Sequence, residues 1–123
     1  MANMINWFEI PVTDIDRAAA FYSAIFGIEI QQQEMGGIKM GILGSMEGGA
    51  IAGSLCQGEW YKPSTDGVIV YLNGGDDLSG VLEKIPAAGG SVLMPKTHIS
   101  DDIGYFAMFL DCEGNRLALH SPH

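Results

Sequence analysis

The chain has 123 residues, 47% of them apolar, and a formal net charge of −9. That length suits one domain able to bury roughly two-thirds of its unfolded surface. Only six Lys and Arg stand against 15 Asp and Glu, too few to neutralise a phosphate backbone, so nucleic acid is excluded as a partner. An acidic surface serves solubility and permits attraction of cationic small molecules. No apolar run approaches the ~20 residues of a membrane span, and MANMINWFEI lacks the basic and apolar regions of a secretory leader. Two cysteines, Cys56 and Cys112, are too few for a disulfide framework. They are expected as reduced thiols in a cytoplasmic protein.

In chain order, residues 5–12, INWFEIPV, alternate as a strand. Phe8, Ile10 and Val12 take one face, and Trp7, Glu9 and Pro11 the other. Thr13 or Asp14 caps a helix that Gly27 stops, with Ile15, Ala18, Tyr22 and Ile25 at helical spacing. Strands follow near 28–34, 37–44 and 50–57, separated by Gly36-Gly37 and Gly48-Gly49. Residues 58–66 read as a linker. GVIVYL, 67–72, is the next strand. Asp76 or Asp77 starts a second helix carrying Leu78, Val81, Leu82 and Ile85. Pro86 is expected to end or kink it, because proline cannot donate to the carbonyl of Leu82. Gly89-Gly90 closes it, and strands near 91–97, 104–111 and 116–121 complete the chain.

The order strand, helix, three strands therefore occurs twice. Module 1 covers about 4–57 and module 2 about 67–121, within a single domain spanning 1–123. Asp14 and Gly27 match Asp76 and Gly89 at an offset of 62, and Glu47-Gly48 matches Glu113-Gly114 at an offset of 66. The extra residues are expected in a loop at 96–102, KTHISDD.

FEIPVTDIDRAAAFYSAIFG (8–27) and GYFAMFLDCEGNRLALHS (104–121) resemble the vicinal oxygen chelate superfamily: glyoxalase I, extradiol dioxygenases, fosfomycin-resistance enzymes and bleomycin-binding proteins. The resemblance covers nearly the whole chain, and the glyoxalase-like branch is its nearest part. It implies an α+β fold of two βαβββ modules, each curling an antiparallel sheet into a half-barrel with helices outside. It also implies a site on the concave face, and a homodimer in which a second chain shares or borders the cavity. Fold alone does not fix chemistry, because one scaffold hosts several.

In metal-dependent relatives four slots supply ligands, one on the first and one on the last strand of each module. Here the matching positions are Trp7, Ile69, Ala52 and Ala118. None carries the His nitrogen, Cys sulfur or carboxylate oxygen that divalent metals require. No cofactor is expected, and a divalent metal is disfavoured. Alternation puts Glu9 beside Trp7 and His120 beside Ala118, and the repeat pairs Glu9 with Tyr71 and His120 with Ser54. A site shifted one pleat along would hold Glu9, Ser54, Tyr71 and His120, with only two good ligands among them. Glu9 and His120 are instead candidates for proton transfer, or for the bland role of satisfying one another or the backbone. Trp7 and Tyr71 offer stacking surfaces.

Other residues carry weaker signals. His98 and Lys96 are expected in the mobile loop, and His123 as a frayed end. Met35, Met40, Met46, Met94 and Met108 are expected in the core or an adaptable cavity wall. Cys112 reads as an inert thiol. The glycines form no phosphate-binding pattern.

Three functions compete. The first is a binding protein for a small organic molecule held by Trp7, Ala52, Ser54, Ile69, Tyr71 and Ala118. The second is a glyoxalase-like lyase or isomerase using Glu9 and His120; glyoxalase I activity itself is not expected, because it relies on the missing ligands. The third, an interaction module, has no recognition motif to support it.

Overall fold

A computed structural model describes residues 3–123. Module 1 is built from β1 (Trp7–Pro11), α1 (Ile15–Phe26), β2 (Gln32–Met35), β3 (Ile38–Leu43), a short 3-10 turn at Glu47–Gly49 and β4 (Ala52–Gln57). Module 2 holds β5 (Tyr71–Asn73), α2 (Ser79–Ala88), β6 (Ser91–Ser100), β7 (Gly104–Leu110) and β8 (Arg116–Ser121). Each module makes one four-stranded sheet, ordered β1-β4-β3-β2 and β5-β8-β7-β6. In both, the first strand runs parallel to the last and the other pairs are antiparallel. This is the expected α+β arrangement of two βαβββ units.

Local chemistry explains the first helix well. Asp14 is its cap, accepting from the Arg17 N–H at 3.1 Å. Gly27 ends it in the left-handed conformation, φ 64°, and donates back to the carbonyl of Ser23. Ile15, Ala18, Tyr22 and Ile25 are all buried, as their spacing requires. The second helix departs from expectation. It starts at Ser79, not at Asp76 or Asp77, although Asp77 Oδ1 still accepts the Ser79 N–H. It also runs through Pro86 to Ala88. Pro86 deprives the Leu82 carbonyl of its helical donor, and the helix closes directly after, where Gly89 and Gly90 donate to the carbonyls of Pro86 and Ile85.

One core joins the modules. Ile10, Leu55 and the buried side of α1 pack with Leu78, Ile85, Phe109 and Leu119. The rings of Phe21 and Phe109 stack with centroids 6.4 Å apart.

Polar contacts fasten the same junction. Tyr22, fully buried, donates to Asp111 Oδ2 at 2.7 Å. Asp111 Oδ1 accepts from the N–H groups of Glu113 and Asn115, which shapes the DCEGN turn. Glu113 then reaches the start of α1, accepting from the N–H groups of Thr13 and Asp14, the Thr13 hydroxyl and the Arg17 guanidinium. The turn of module 2 therefore caps the helix of module 1.

Several boundaries differ from the sequence reading. The strand expected at 28–34 begins only at Gln32, and that expected at 67–72 is the short Tyr71–Asn73. β6 continues to Ser100, so Lys96 and His98 sit in a strand and not in a loop. Lys96 pairs with Asp77 at 2.9 Å and lies over the Tyr105 ring. Those long-range partners hold the KTHIS segment extended. His123 is tied rather than frayed: its N–H donates to the Asp76 carbonyl, and its own carbonyl accepts from Ser121. Met35, Met46 and Met94 are exposed rather than in the core.

Candidate functional site

The helices pack on one face of each sheet; on the opposite face Trp7 and Glu9 keep some exposure, while Ala52, Ser54, Cys56 and Ala118 are buried. On β1 the outward side chains are Trp7 and Glu9. β4 runs beside it with Trp7 opposite Ala52 and Glu9 opposite Ser54, and alternation adds Cys56 to that face. In module 2, Tyr71 stands opposite Ala118 and Asn73 opposite His120. Met108 and Phe106 on β7 continue the face beside Ala118 and His120. The rings of Tyr71 and Phe106 lie 6.5 Å apart.

This register corrects the repeat. Tyr71, not Ile69, occupies the position equivalent to Trp7, and Asn73, not Tyr71, is the mate of Glu9. The cause is helix length. α1 has 12 residues and α2 has 10, so the offset of 62 that fits Gly27 and Gly89 is two short at the strands. Ile69 lies before β5 and outside the paired ladder.

The four corrected slots are Trp7, Ala52, Tyr71 and Ala118. They offer a single phenol oxygen, against the three protein ligands typical of catalytic zinc, and do not fit a divalent ion. Among the described residues no group of three or more His, Cys, Asp or Glu is placed to hold a metal ion.

Glu9 and His120 hold separate partners. Tyr61 donates its hydroxyl to Glu9 Oε1 at 2.8 Å, and the Cys56 thiol lies 3.4 Å from Oε2. Cys56 also lies 3.2 Å from Ser54 Oγ. The hydrogen bond to Glu9, then burial, pushes the Tyr61 phenol up to about 12, so it stays a donor. Burial pushes the Cys56 thiol up, against the hydrogen bond from Ser54 that favours the thiolate. On the other sheet, His120 Nε2 donates to the Ile103 carbonyl at 2.6 Å, which fixes that nitrogen as the protonated one.

Tyr61, Phe106 and Cys56 were missing from the sequence-derived site. The two-residue step Ala52, Ser54, Cys56 was a usable signal for Cys56. Nothing periodic points to Tyr61, which lies in the linker. Burial, then the charge of Asp111, pushes the Cys112 thiol up to about 11, which favours the protonated form.

An apolar cavity of about 830 Å³ opens between the start of β1 and the segment 68–73. Phe8, Phe26, Leu43, Ile51, Val68 and Val70 line it, with Ala52, Ile69 and Tyr71 from the expected site. Trp7, Glu9, Ser54, Ala118 and His120 do not line it, and Ser54 and Ala118 are fully buried. A smaller, polar cleft of about 240 Å³ lies by His98, Asp101, Tyr105 and His123.

The family model described as Glyoxalase/Bleomycin resistance protein/Dioxygenase superfamily matches residues 4–119. A glyoxylase-like domain-containing protein of Didymella fabae is 31% identical over 120 residues, covering 94% of this chain and 91% of that one. TnmS3, an antibiotic binding protein from Streptomyces sp. CB03234, superposes with a TM-score of 0.68 at 24% identity, over 100% of this chain and 99% of that one. Glyoxalase I from Zea mays superposes with a TM-score of 0.73 at 18% identity, over 95% of this chain but only 45% of that one.

Proposed function

We propose that this chain, which belongs to the glyoxalase/bleomycin resistance protein/dioxygenase superfamily, binds a small organic molecule without a metal. The observation that carries the reading is the apolar cavity between β1 and β5 at the rim of the aromatic sheet faces. Its volume of about 830 Å³ lies within the ~300–1,000 Å³ of ligand pockets, which are mostly apolar with a few placed polar groups. Tyr71 in its wall supplies a flat surface; Trp7 and Phe106 on the adjoining sheet faces extend it, and Glu9 and His120 there supply polar groups, while Ser54, fully buried and bonded to Cys56, does not. The likeness to an antibiotic binding protein supports the same reading.

A homodimer belongs to this proposal. β1 and β5 each end a sheet and keep one edge unpaired. Val68, 88% exposed, and Ile51 stand between those edges, an apolar surface that a second chain would cover.

The enzyme alternative requires Glu9 and His120 to act on one substrate. They lie on different sheets and share no partner, so no observation here favours it. Ligand-observed NMR against a panel of flat aromatic compounds tests the binding reading. The expected result is a binder that Trp7→Ala or Tyr71→Ala weakens by about tenfold, ~1.4 kcal/mol. A panel with no binder, or one indifferent to both substitutions, would count against it.

A further inference from the structure

Glu9 is exposed, yet both its oxygens are already engaged by its own chain, by Tyr61 at 2.8 Å and Cys56 at 3.4 Å. The two donors are held differently. Cys56 is fully buried, lies within the β1–β4–β3 ladder and bonds to Ser54. Tyr61 belongs to no strand or helix. It stands on the connection after β4, in a turn closed by its own N–H on the Gly58 carbonyl at 3.1 Å. Its neighbour Trp60 is 82% exposed. The next anchor is Ser64, which bonds to Asn115 and Arg116. Residues 58–63 are thus a short strap laid on the sheet, and its movement breaks no strand pair.

We infer that Tyr61 is a displaceable plug, whose hydroxyl holds the place on Glu9 of a donor carried by an organic cation with a flat aromatic body. The inference deepens the small-molecule reading above and rests on it. A neutral donor would only exchange one hydrogen bond for another, with little net gain. A cationic donor makes the stronger, charge-assisted bond to a carboxylate. Trp7, two residues earlier on the same face, presents a ring for the flat body and its charge. The net charge of −9 adds long-range attraction for a cation. Cys56 stays in place and keeps the carboxylate aimed after Tyr61 has left.

The test uses benzamidinium as the cationic probe and acetophenone as a neutral aromatic of similar size that carries no donor, each titrated into the full chain by ligand-observed NMR. Tyr61→Phe removes the hydroxyl that the probe must displace, and is expected to tighten benzamidinium by about three- to tenfold. Acetophenone is expected to be unaffected. Glu9→Gln is expected to weaken benzamidinium by about tenfold or more. Gly58→Ala places a Cβ 3.4 Å from the Tyr61 ring and 3.3 Å from Ile38. It is expected to act in the same direction as Tyr61→Phe while keeping the phenol. Circular dichroism melts confirm that each variant is folded. A Tyr61→Phe protein that binds benzamidinium no tighter, or a Glu9→Gln protein that binds it equally well, overturns the inference. Acetophenone binding without benzamidinium binding also overturns it but leaves the small-molecule reading standing. Binding of neither probe overturns the inference and counts against that reading too.

Discussion

Glu113 lies 99 and 100 residues along the chain from the two backbone N–H groups it caps. Its side chain is only 1% exposed, and its partner Arg17 is 52% exposed. The cap therefore owes more to the backbone donors than to the ion pair, since exposed pairs contribute little. Burial alone would raise the Glu113 carboxyl; the hydrogen bonds from Thr13, Arg17 and Asp14 outweigh it and hold the group below its ordinary range. A depressed carboxyl stabilises the fold above the unfolded value, near pH ~4, and that contribution is lost as pH falls through the folded value. Glu113→Gln is expected to lose ~1–2 kcal/mol at pH 7. It should also flatten the fall in melting temperature between pH 7 and pH 3. Thermal melts of the two proteins at both pH values check this, and equal pH slopes would contradict it.

At the scale of elements, the β1–β4 pair is the closest fit in module 1. A Cβ on Gly53 would stand 2.5 Å from the Phe8 ring, so that ring fills the space a side chain would need. Gly53→Ala is expected to cost ~2–3 kcal/mol by overpacking, read as a lower urea midpoint at unchanged slope. The helices and most strands of both modules were legible in periodicity and glycine punctuation. The register of β5 was not. Its two helices differ by two residues, and only the ladder, with Tyr71 opposite Ala118, reveals which residue faces the site. β6 was misread in the same way. Lys96 and His98 look like loop residues until their partners Asp77, Asp101 and Tyr105 are brought to them by the fold.

For the whole molecule, the family resemblance was readable from the two quoted motifs, because the DCEGN turn and the helix cap after β1 build the junction between modules. The candidate site was only partly readable. Trp7, Glu9, Ala52, Ser54, Ala118 and His120 follow from alternation, while Tyr61 comes from a linker with no pattern. Among the described residues no helix is long and apolar enough to cross a membrane. The unpaired edges of β1 and β5 predict a dimer in sedimentation velocity, and Val68→Asp is expected to shift it to monomer without lowering the melting temperature by more than a few degrees. A wild-type protein that sediments as a monomer at about 100 μM would contradict the dimer.

The central claim is that the aromatic sheet faces and the cavity at their rim receive a small organic molecule. Amide chemical-shift mapping on ¹⁵N-labelled protein, titrated with a binder from the aromatic panel, tests it most directly. The account predicts perturbations that converge on Phe8, Ile51, Ala52, Val70 and Tyr71 and extend to neighbouring Trp7. Perturbations confined to the His98–His123 cleft, or scattered with no focus, would contradict it.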